Sequence, residues 1–313
     1  MIQRRHFILG ASAALLRGAE LDRKERVDRA LSGRDVDRPP FSFWHHFGLH
    51  SAEDQARATL DFHRRYRTDF VKVMSDFPYP RPAGAWYEPK TNTNPFPAQI
   101  RALELIRDGL DGKTYFIETI FNPWNVAEKL SSPEEVRRLA AEKPQVLLDA
   151  LGSITRSEIH HAKLALKTGA AGILLAVANA DSKIQSREDY VRFSAPFDRQ
   201  IMEAVSGAPC NILHLHIDRS HLDLFHDFPA AAINYSLHVS GIPINDMRRK
   251  YSNAIMGGID EVNYRQLAKR EIEAQWKSAA AAAGPKFLLA PGCSVPNDSS
   301  PEELQRLPAA LRV

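Results

Sequence analysis

The stretch Asn211-Ile-Leu-His-Leu-His216 has the pattern of a buried strand that carries two histidines to its end. Side chains alternate between the two faces of a strand, so Ile212, His214 and His216 share one face. Two imidazoles that lie two residues apart on one face can close on a single metal ion, and neutral imidazole is a common zinc ligand. The alternative interpretation is one hydrogen-bonded core histidine and one surface histidine.

Eight short apolar segments of this kind alternate with segments of helical periodicity. They are residues 40–43, 69–74, 115–121, 172–177, 211–216, 232–236, 254–259 and 287–290. Eight strands alternating with helices are what a parallel (β/α)8 barrel requires. A doubly wound open sheet is the alternative, but no G-x-G-x-x-G motif follows the first strand. We therefore predict an α/β fold, a single-domain (β/α)8 TIM barrel over residues 21–313.

Helices are predicted between these strands from periodicity and from start and stop signals. Ser-Pro-Glu-Glu occurs at Ser132 and again at Ser300, and it is a strong helix-start signal. The predicted helices are residues 21–31, 52–66, 99–110, 132–141, 145–168, 187–205, 218–225, 245–251, 263–283 and 300–307.

Composition narrows the class of function. The net charge is only +3 and no basic cluster is interleaved with aromatic residues, so nucleic acid is not an expected partner. No apolar run is long enough to span a membrane. Two cysteines, Cys210 and Cys293, do not form a disulfide framework. The twelve histidines, several of them at predicted strand ends, favour an enzyme. Oligomeric state is left open.

The N-terminus has the features of an export signal. Arg4-Arg5 precedes an apolar stretch and the small-residue run Gly-Ala-Ser-Ala-Ala, a pattern typical of twin-arginine signals. The apolar part is short and is followed by Arg17, which favours the alternative of a leader on a cytoplasmic enzyme. We treat residues 1–20 as a possible twin-arginine leader and expect export to the periplasm, by a route that carries folded proteins.

Polar residues gather after the predicted strands. In α/β barrels the chemistry lies at the carboxyl ends of the strands. Asp260 and Glu261 are expected to cap a helix. The histidines of the first loop could have a functional role or could simply be exposed to solvent. The residues at these ends are His45, His46, His50, Asp76, Asn122, Trp124, His214, His216, His238, Asp260, Glu261 and Cys293.

These positions suggest specific roles. We expect zinc on His214, His216 and Cys293, with an open position for substrate or water. Asp76 is expected to be a polar anchor or general base, and His45 or His46 an acid/base or a fourth ligand. Three further residues are expected to contact a small-molecule substrate: Trp44, Trp124 and His238.

The chain resembles the uroporphyrinogen decarboxylase superfamily from about residue 25 to residue 307. Each motif is weak alone, but their order and spacing are fairly specific. They are Arg26-Val-Asp-Arg-Ala-Leu31, Asp37-Arg-Pro39, Ser75-Asp76, Ile212-Leu-His-Leu-His216, Phe228-Pro-Ala-Ala-Ala-Ile-Asn234, Gly257-Gly258, Pro291-Gly-Cys-Ser-Val-Pro296 and Pro301-Glu-Glu303. This resemblance also implies an α/β barrel.

The decarboxylase branch of that superfamily holds a tetrapyrrole rich in carboxylates. Asp76 matches its aspartate after the second strand, but the arginine loop R-Q-A-G-R-Y is replaced by Trp44-His-His-Phe-Gly-Leu-His50, and Cys293 stands near the place of a late histidine. Carboxylates that enter a closed pocket need cationic partners to offset desolvation. The absence of the arginines therefore disfavours uroporphyrinogen as the substrate.

The other branch resembles cobalamin-dependent methyltransferases, which bind zinc through an H-x-C motif and a later cysteine. The corresponding residues here are His214, His216 in place of the first cysteine, and Cys293. The resemblance implies zinc-dependent methyl transfer to a small substrate, with a corrinoid carried by a partner protein. The alternatives are a decarboxylase of uroporphyrinogen or a related pyrrolic acid, and a non-catalytic barrel that binds a corrinoid or tetrapyrrole.

Overall fold

The computed structural model describes residues 20–216 and 221–311, so the predicted leader lies outside the described residues except for Glu20. The helices are α1 (Arg23–Ser32), α2 (Ala52–Tyr66), α3 (Pro97–Leu110), α4 (Pro123–Leu130), α5 (Pro133–Glu142), α6 (Pro144–Thr168), α7 (Arg187–Phe193), α8 (Ala195–Ala204), α9 (Leu237–Ser240), α10 (Ile244–Lys250), α11 (Lys269–Ala283) and α12 (Pro301–Ala310). The strands are β1 (Phe70–Lys72), β2 (Tyr115–Phe121), β3 (Ile173–Val177), β4 (Ile212–Leu215), β5 (Ala232–Tyr235), β6 (Ala254–Ile259) and β7 (Phe287–Pro291). Among the described residues, no helix is long and apolar enough to cross a membrane.

The strands form one parallel sheet whose spatial order, β1 to β7, follows the chain. Each strand contributes a residue to a single buried cluster on one face of the sheet, so the sheet curls around that cluster. The contributing residues are Phe70, Ile117, Leu174, Ile212, Ala232, Ala254 and Leu288. The α/β class is therefore as predicted, and a seven-stranded curled parallel sheet is observed where eight strands were expected.

The segment predicted as the first strand, residues 40–43, makes a single parallel bridge, Phe41 to Leu289, instead of a ladder. Ser42 N–H donates to Leu289 O over 3.1 Å, and Leu289 N–H donates to Pro40 O over 2.8 Å. On the other side, Asp69 N–H donates to Phe41 O over 2.8 Å. Pro40 has no N–H to donate, which limits how far a ladder can extend here.

Three helix predictions need correction. The helix expected over residues 187–205 is broken at Ser194 into α7 and α8, because Pro196 in the first turn of α8 cannot donate a backbone hydrogen bond. The helix expected from residue 263 begins only at Lys269. The helix expected over residues 218–225 is a short 3-10 helix, Leu222–Phe225, and residues 217–220 lie outside the described chain.

Helix α4 was missed by the sequence analysis, which left the segment after β2 as a loop. It begins with a signal that the sequence does contain: the Asn122 side chain accepts a hydrogen bond from Asn125 N–H, and Pro123 occupies the first turn. The helix has only eight residues, which is too short for a clear helical periodicity.

The buried carboxylate of Asp69 connects the segment around residue 40 to the rest of the fold. Its side chain is fully buried and accepts hydrogen bonds from Arg26 Nη1 at 2.7 Å and Arg38 Nη1 at 2.5 Å. It also accepts the backbone N–H of Phe41 at 2.9 Å. One carboxylate therefore joins α1, the connector that follows α1, and the start of β1.

Replacement of Asp69 by Asn should destabilise the protein strongly, because it removes the buried negative charge that Arg26 and Arg38 share, although Arg26 keeps its ion pair with Asp37. Loss of one member of a buried ion pair typically costs about 3–5 kcal/mol. The matched control is Asp111→Asn, whose carboxylate pairs with Lys113 while both side chains are largely exposed (80% and 74%). That control should change stability by less than about 1 kcal/mol. Urea denaturation of the three proteins would measure both effects, and equal midpoints would contradict this role of Asp69.

Candidate metal and substrate site

Strand β4 presents its histidines to the inner face of the curled sheet, as the alternation predicted. Ile212 belongs to the inner cluster, whereas Leu213 and Leu215 pack in the outer cluster beneath the helices. His214 is 6% exposed and His216 is exposed at the rim. Their rings are nearly parallel, with centroids 6.2 Å apart.

The hydrogen bonds of Asn234 fix the tautomer of His214. Asn234 Nδ2 donates to Met256 O at 3.1 Å and to Pro291 O at 3.3 Å, so its Oδ1 is the atom that faces His214. His214 Nδ1–H therefore donates to Asn234 Oδ1 at 2.6 Å. Burial, together with the nearby charge of Lys72, lowers the pKa of His214 to about 4. The ring is therefore neutral, and its Nε2 keeps a free lone pair.

Cys293 lies at the same rim because the loop after β7 packs closely against Ser236, which follows β5. A Cβ on Gly292 would lie 2.3 Å from the Cα of Ser236, so only glycine lets the two backbones approach this closely. Gly292 N–H donates to Glu261 Oε2 at 3.1 Å. Cys293 is half-buried, and its thiol is in the free form.

We call the open space at this rim the main cleft. Its volume is about 630 Å³, within the usual range for small-molecule sites. It is bordered by the loops that follow β3 to β7. Residues that line it include Asp181, His216, Ser236, Glu261, Cys293 and Asn297.

The metal-ligating side chains at this rim are of the types that bind zinc, but they do not lie close enough together to form a site. Two neutral imidazoles and a thiol are typical zinc ligands, and a histidine whose second nitrogen is held by a hydrogen bond is typical of metal sites. However, among residues 20–216 and 221–311, no three His, Cys, Asp or Glu side chains lie close enough together to hold a metal ion. A site on His214, His216 and Cys293 therefore requires side-chain rotation on binding.

Lys72 is a buried cation on the inner face of the sheet. It lies on β1 with its Nζ 5.1 Å from the centre of the Trp44 ring, and its ammonium contacts the Met74 sulfur. Desolvation lowers the pKa of Lys72 to about 8, while Cys293, among other acidic groups, opposes that shift. Lys72 therefore places a positive charge on the inner face of the sheet, within electrostatic range of Cys293.

The structure separates the two histidines of the first loop. His46 Nδ1–H donates to Asp76 Oδ1 at 2.6 Å, which leaves Nε2 of His46 available for proton transfer. His45 instead donates to the carbonyl oxygen of His46 at 3.0 Å and packs against Phe47 and Phe62. Burial lowers the pKa of His45.

Asp76 is saturated with hydrogen bonds. Besides His46, the backbone N–H groups of Phe47 and Gly48 each donate to its Oδ2 at 3.2 Å. Burial alone would raise the pKa of Asp76, but the hydrogen bond and charge of His46 and these N–H groups together hold it below its usual value. Such a carboxylate is a weak base, and its evident effect is to orient His46 and the first loop.

The three residues expected to contact substrate lie in different surroundings. Trp44 is 4% exposed and packs in the inner cluster. Trp124 is 2% exposed, packs against Phe193 and donates Nε1–H to Glu128 at 2.8 Å, which is the position of a core residue. His238 lies on a second surface depression beside α11, 3.9 Å from Asp260.

Sequence reasoning missed Asn234 and underrated Glu261. Asn234 lies at the centre of an apolar strand on the inner face, and a buried amide in such a strand is itself a signal of a specific partner. Asp260 accepts the N–H groups of Val262 and Asn263 at 3.0 Å and so closes a turn, but it does not cap the expected helix, because α11 begins only at Lys269. Glu261 instead lines the main cleft beside Cys293.

The chain is similar to proteins of a known family. Residues 83–312 match the uroporphyrinogen decarboxylase (URO-D) family. The methylated-thiol–coenzyme M methyltransferase of Methanosarcina mazei is 26% identical over 187 residues, which are 57% of this chain and 48% of that protein. The chain thus matches about half the length of that relative.

Solved structures share the fold. A methyltransferase from Methanosarcina mazei superposes with a TM-score of 0.78 at 18% identity, covering 93% of this chain and 98% of the other. A B12-independent methionine synthase from Shewanella sp. W3-18-1 gives a TM-score of 0.61 at 11% identity, covering 87% and 92%.

The tautomer of His214 can be tested by nitrogen NMR on metal-free protein. Long-range ¹⁵N–¹H correlation spectra should show a neutral ring protonated on Nδ1, and Asn234→Leu should remove that preference because the acceptor is gone. The ring of His63, which contacts the Thr68 hydroxyl, should be unchanged and serves as the internal control. A His214 ring protonated on Nε2 in the unaltered protein would contradict the assignment.

The matched region covers more than half of the chain, and the site lies on the rim of the curled parallel sheet that the solved relatives share; the protein belongs to the URO-D family.

Proposed function

We propose that this protein is a zinc-dependent methyltransferase that acts on a small thiol substrate. The observation that carries the proposal is the arrangement on β4 and after β7: His216 and Cys293 line one cleft, and His214, two residues earlier on the same face, keeps Nε2 free. Zinc held by these three residues would stabilise a substrate sulfur as thiolate. The methyl-transfer activity named for the Methanosarcina relative supports the same reaction class.

The residues of this chain have separable roles in the proposed reaction. Asn234 orients His214, and the Gly292–Glu261 hydrogen bond holds the loop that carries Cys293. His46, oriented by Asp76, would take the proton that the thiol loses when it becomes a thiolate, before the sulfur gains the methyl group. The products are a thioether, the demethylated donor and a proton.

We further propose that residues 40–43 act as an eighth strand that completes a (β/α)8 barrel. The hydrogen bonds of this segment to Leu289 on one side and to Asp69 on the other support that closure. A closed barrel would place the main cleft over its axis, where a methyl donor such as a corrinoid on a partner protein can reach from the open side.

Methyl transfer from methylcobalamin to 3-mercaptopropanol tests the proposal directly, because loss of the cobalt–carbon bond can be followed by absorbance. The full-length protein should catalyse this transfer. Loss of a residue that only supports a metal ligand typically lowers activity about 10–100-fold. Cys293→Ala and His214→Ala each remove a proposed ligand, so each should lower the rate by more than that. Cys210→Ala and His160→Ala are the matched controls; Cys210 is buried away from the main cleft and His160 is exposed on α6. Both controls should retain activity.

An assay with uroporphyrinogen as the substrate distinguishes the proposed function from its alternatives. We expect no conversion at an enzymatic rate, because the arginine loop of the decarboxylases is absent. Decarboxylation by pure protein that does not transfer methyl groups would replace the proposal with the decarboxylase alternative. A protein that binds methylcobalamin or uroporphyrinogen but turns over neither would support the non-catalytic alternative.

A further inference from the structure

A chain of hydrogen bonds between buried side chains connects α6 to the end of β1. His161 Nε2–H, on α6, donates to Glu118 Oε1 of β2 at 3.0 Å. The other oxygen of Glu118 accepts Nε2–H of Gln99, on α3, at 2.8 Å. Gln99 Nε2 also donates to the backbone oxygen of Met74 at 3.2 Å. The side chains of His161, Glu118 and Gln99 are almost completely buried, so water does not supply these hydrogen bonds.

The Met74 oxygen lies where the pairing of β1 with β2 stops. Val73 N–H still donates to Ile117 O of β2, at 2.9 Å. The Met74 oxygen instead accepts two side-chain amides, Gln99 Nε2–H and, at 3.0 Å, Nε2–H of Gln55 on α2. A buried carbonyl oxygen needs such a partner. Helices α2 and α3 therefore fix the backbone at a point that the sheet itself does not hold.

Asp76 depends on this backbone, because it follows Met74 by only two residues. Among the described residues, every hydrogen bond of its side chain comes from the first loop. His46 Nδ1–H donates at 2.6 Å, and the N–H groups of Phe47 and Gly48 donate at 3.2 Å. Asp76 orients this loop, so a separate contact has to hold Asp76 in place. The nearest one along the chain is the contact of Gln99 and Gln55 with the Met74 oxygen.

The carboxylate of Glu118 determines which way the amide of Gln99 points. Both oxygens of Glu118 accept N–H groups, and the Met74 oxygen can also only accept. Gln99 must therefore turn its NH2 group toward both partners. Its own Oε1 is then buried without a hydrogen-bond partner among the described residues, which opposes folding. The orientation of Gln99 is thus held against a cost, by an acceptor that cannot donate.

We propose that Glu118 is a positioning residue for His46. Through Gln99 and the Met74 oxygen, Glu118 holds the end of β1, and so it holds Asp76 where Asp76 orients His46. Glu118 does not line the main cleft and takes no part in the chemistry itself. This inference rests on the proposed function only for the role of His46 as the group that takes the proton of the thiol.

Hydrogen exchange measured by NMR on the full-length protein tests the physical link without any turnover. Glu118→Gln keeps the shape of the side chain but can donate to the unpartnered Oε1 of Gln99, so the Gln99 amide can turn and release Met74. The N–H groups of Phe47 and Gly48 should then exchange about fivefold faster or more, as expected when a hydrogen bond that limits local opening is lost.

The exchange experiment has an internal control and two further variants. The N–H groups of Val262 and Asn263, which donate to Asp260, should keep their exchange rates. Gln99→Met cuts the same connection one residue later and should accelerate exchange in the first loop as Glu118→Gln does. The matched control is Thr155→Val, which removes a buried hydroxyl on α6 that donates to the carbonyl oxygen of Leu151 in its own helix.

The outcome of the exchange experiment is decisive for the link. Thr155→Val should leave the exchange of Phe47 and Gly48 unchanged, because its hydroxyl has no connection to β1. Unchanged exchange in both Glu118→Gln and Gln99→Met, or equal acceleration in Thr155→Val, would overturn the inference.

Methyl transfer from methylcobalamin to 3-mercaptopropanol tests the consequence for His46. Glu118→Gln should lower kcat about tenfold, part of the contribution of a well-placed proton acceptor, and leave KM for the thiol unchanged. In protein that also carries His46→Ala, Glu118→Gln should cause no further loss, because two residues that act through one group are not additive. A merely structural effect of Glu118 would slow both backgrounds equally.

The two measurements separate this inference from the proposed function. If exchange of the first loop accelerates but the unaltered protein transfers no methyl group, the proposed function fails and the role of Glu118 in holding Asp76 stands. If methyl transfer proceeds and Glu118→Gln slows the His46→Ala variant as much as the unaltered protein, the inference fails alone.

Discussion

The buried carboxylate of Asp69 is the interaction on which the arrangement of the rim depends. It receives two guanidinium groups and a backbone N–H, so its charge is matched and its lone pairs are used. A buried charge satisfied in this way holds its partners in one geometry, whereas the same charge left unpaired would oppose folding. Through Phe41, Asp69 fixes the segment that continues into the first loop. The cluster of Asp69, Arg26 and Arg38 therefore helps to position His46 and its contact with Asp76, although it takes no part in the proposed chemistry.

Much of the sheet could be predicted from the sequence, because parallel strands buried on both faces appear as continuous apolar runs. The seven runs from residue 69 onward all correspond to observed strands. The first run makes only a single bridge, since Pro40 has no N–H to donate, and its attachment to the fold depends on Asp69, which no local pattern reveals. The break at Ser194 was readable from Pro196, but helical periodicity on both sides obscured it.

The site was predictable to the level of which residues reach the rim, but not of which side chains face one another. Strand alternation correctly placed His214 and His216 on the inner face. Whether His45 or His46 meets Asp76 depends on the path of an irregular loop, which sequence spacing does not determine. Trp124 follows a strand end as a site residue would, yet it packs in the core because α4, which the sequence analysis missed, turns it away from the rim.

The family relationship and the local chemistry support one account. The chain belongs to the URO-D family but lacks the arginine loop of the decarboxylases, and the buried cation on the inner face of its sheet is Lys72 of β1. Under the account proposed here, zinc on His214, His216 and Cys293 would hold the reacting sulfur in the main cleft.

The most direct test of this account is the zinc content of the purified protein together with X-ray absorption at the zinc edge. We expect about one zinc per chain, with nitrogen ligands at about 2.0–2.1 Å and one sulfur ligand at about 2.3 Å. Cys293→Ala should lose the sulfur contribution, and Cys210→Ala should keep it. Protein that retains no zinc after incubation with the metal, or a zinc shell without sulfur in the unaltered protein, would contradict the assignment of His214, His216 and Cys293.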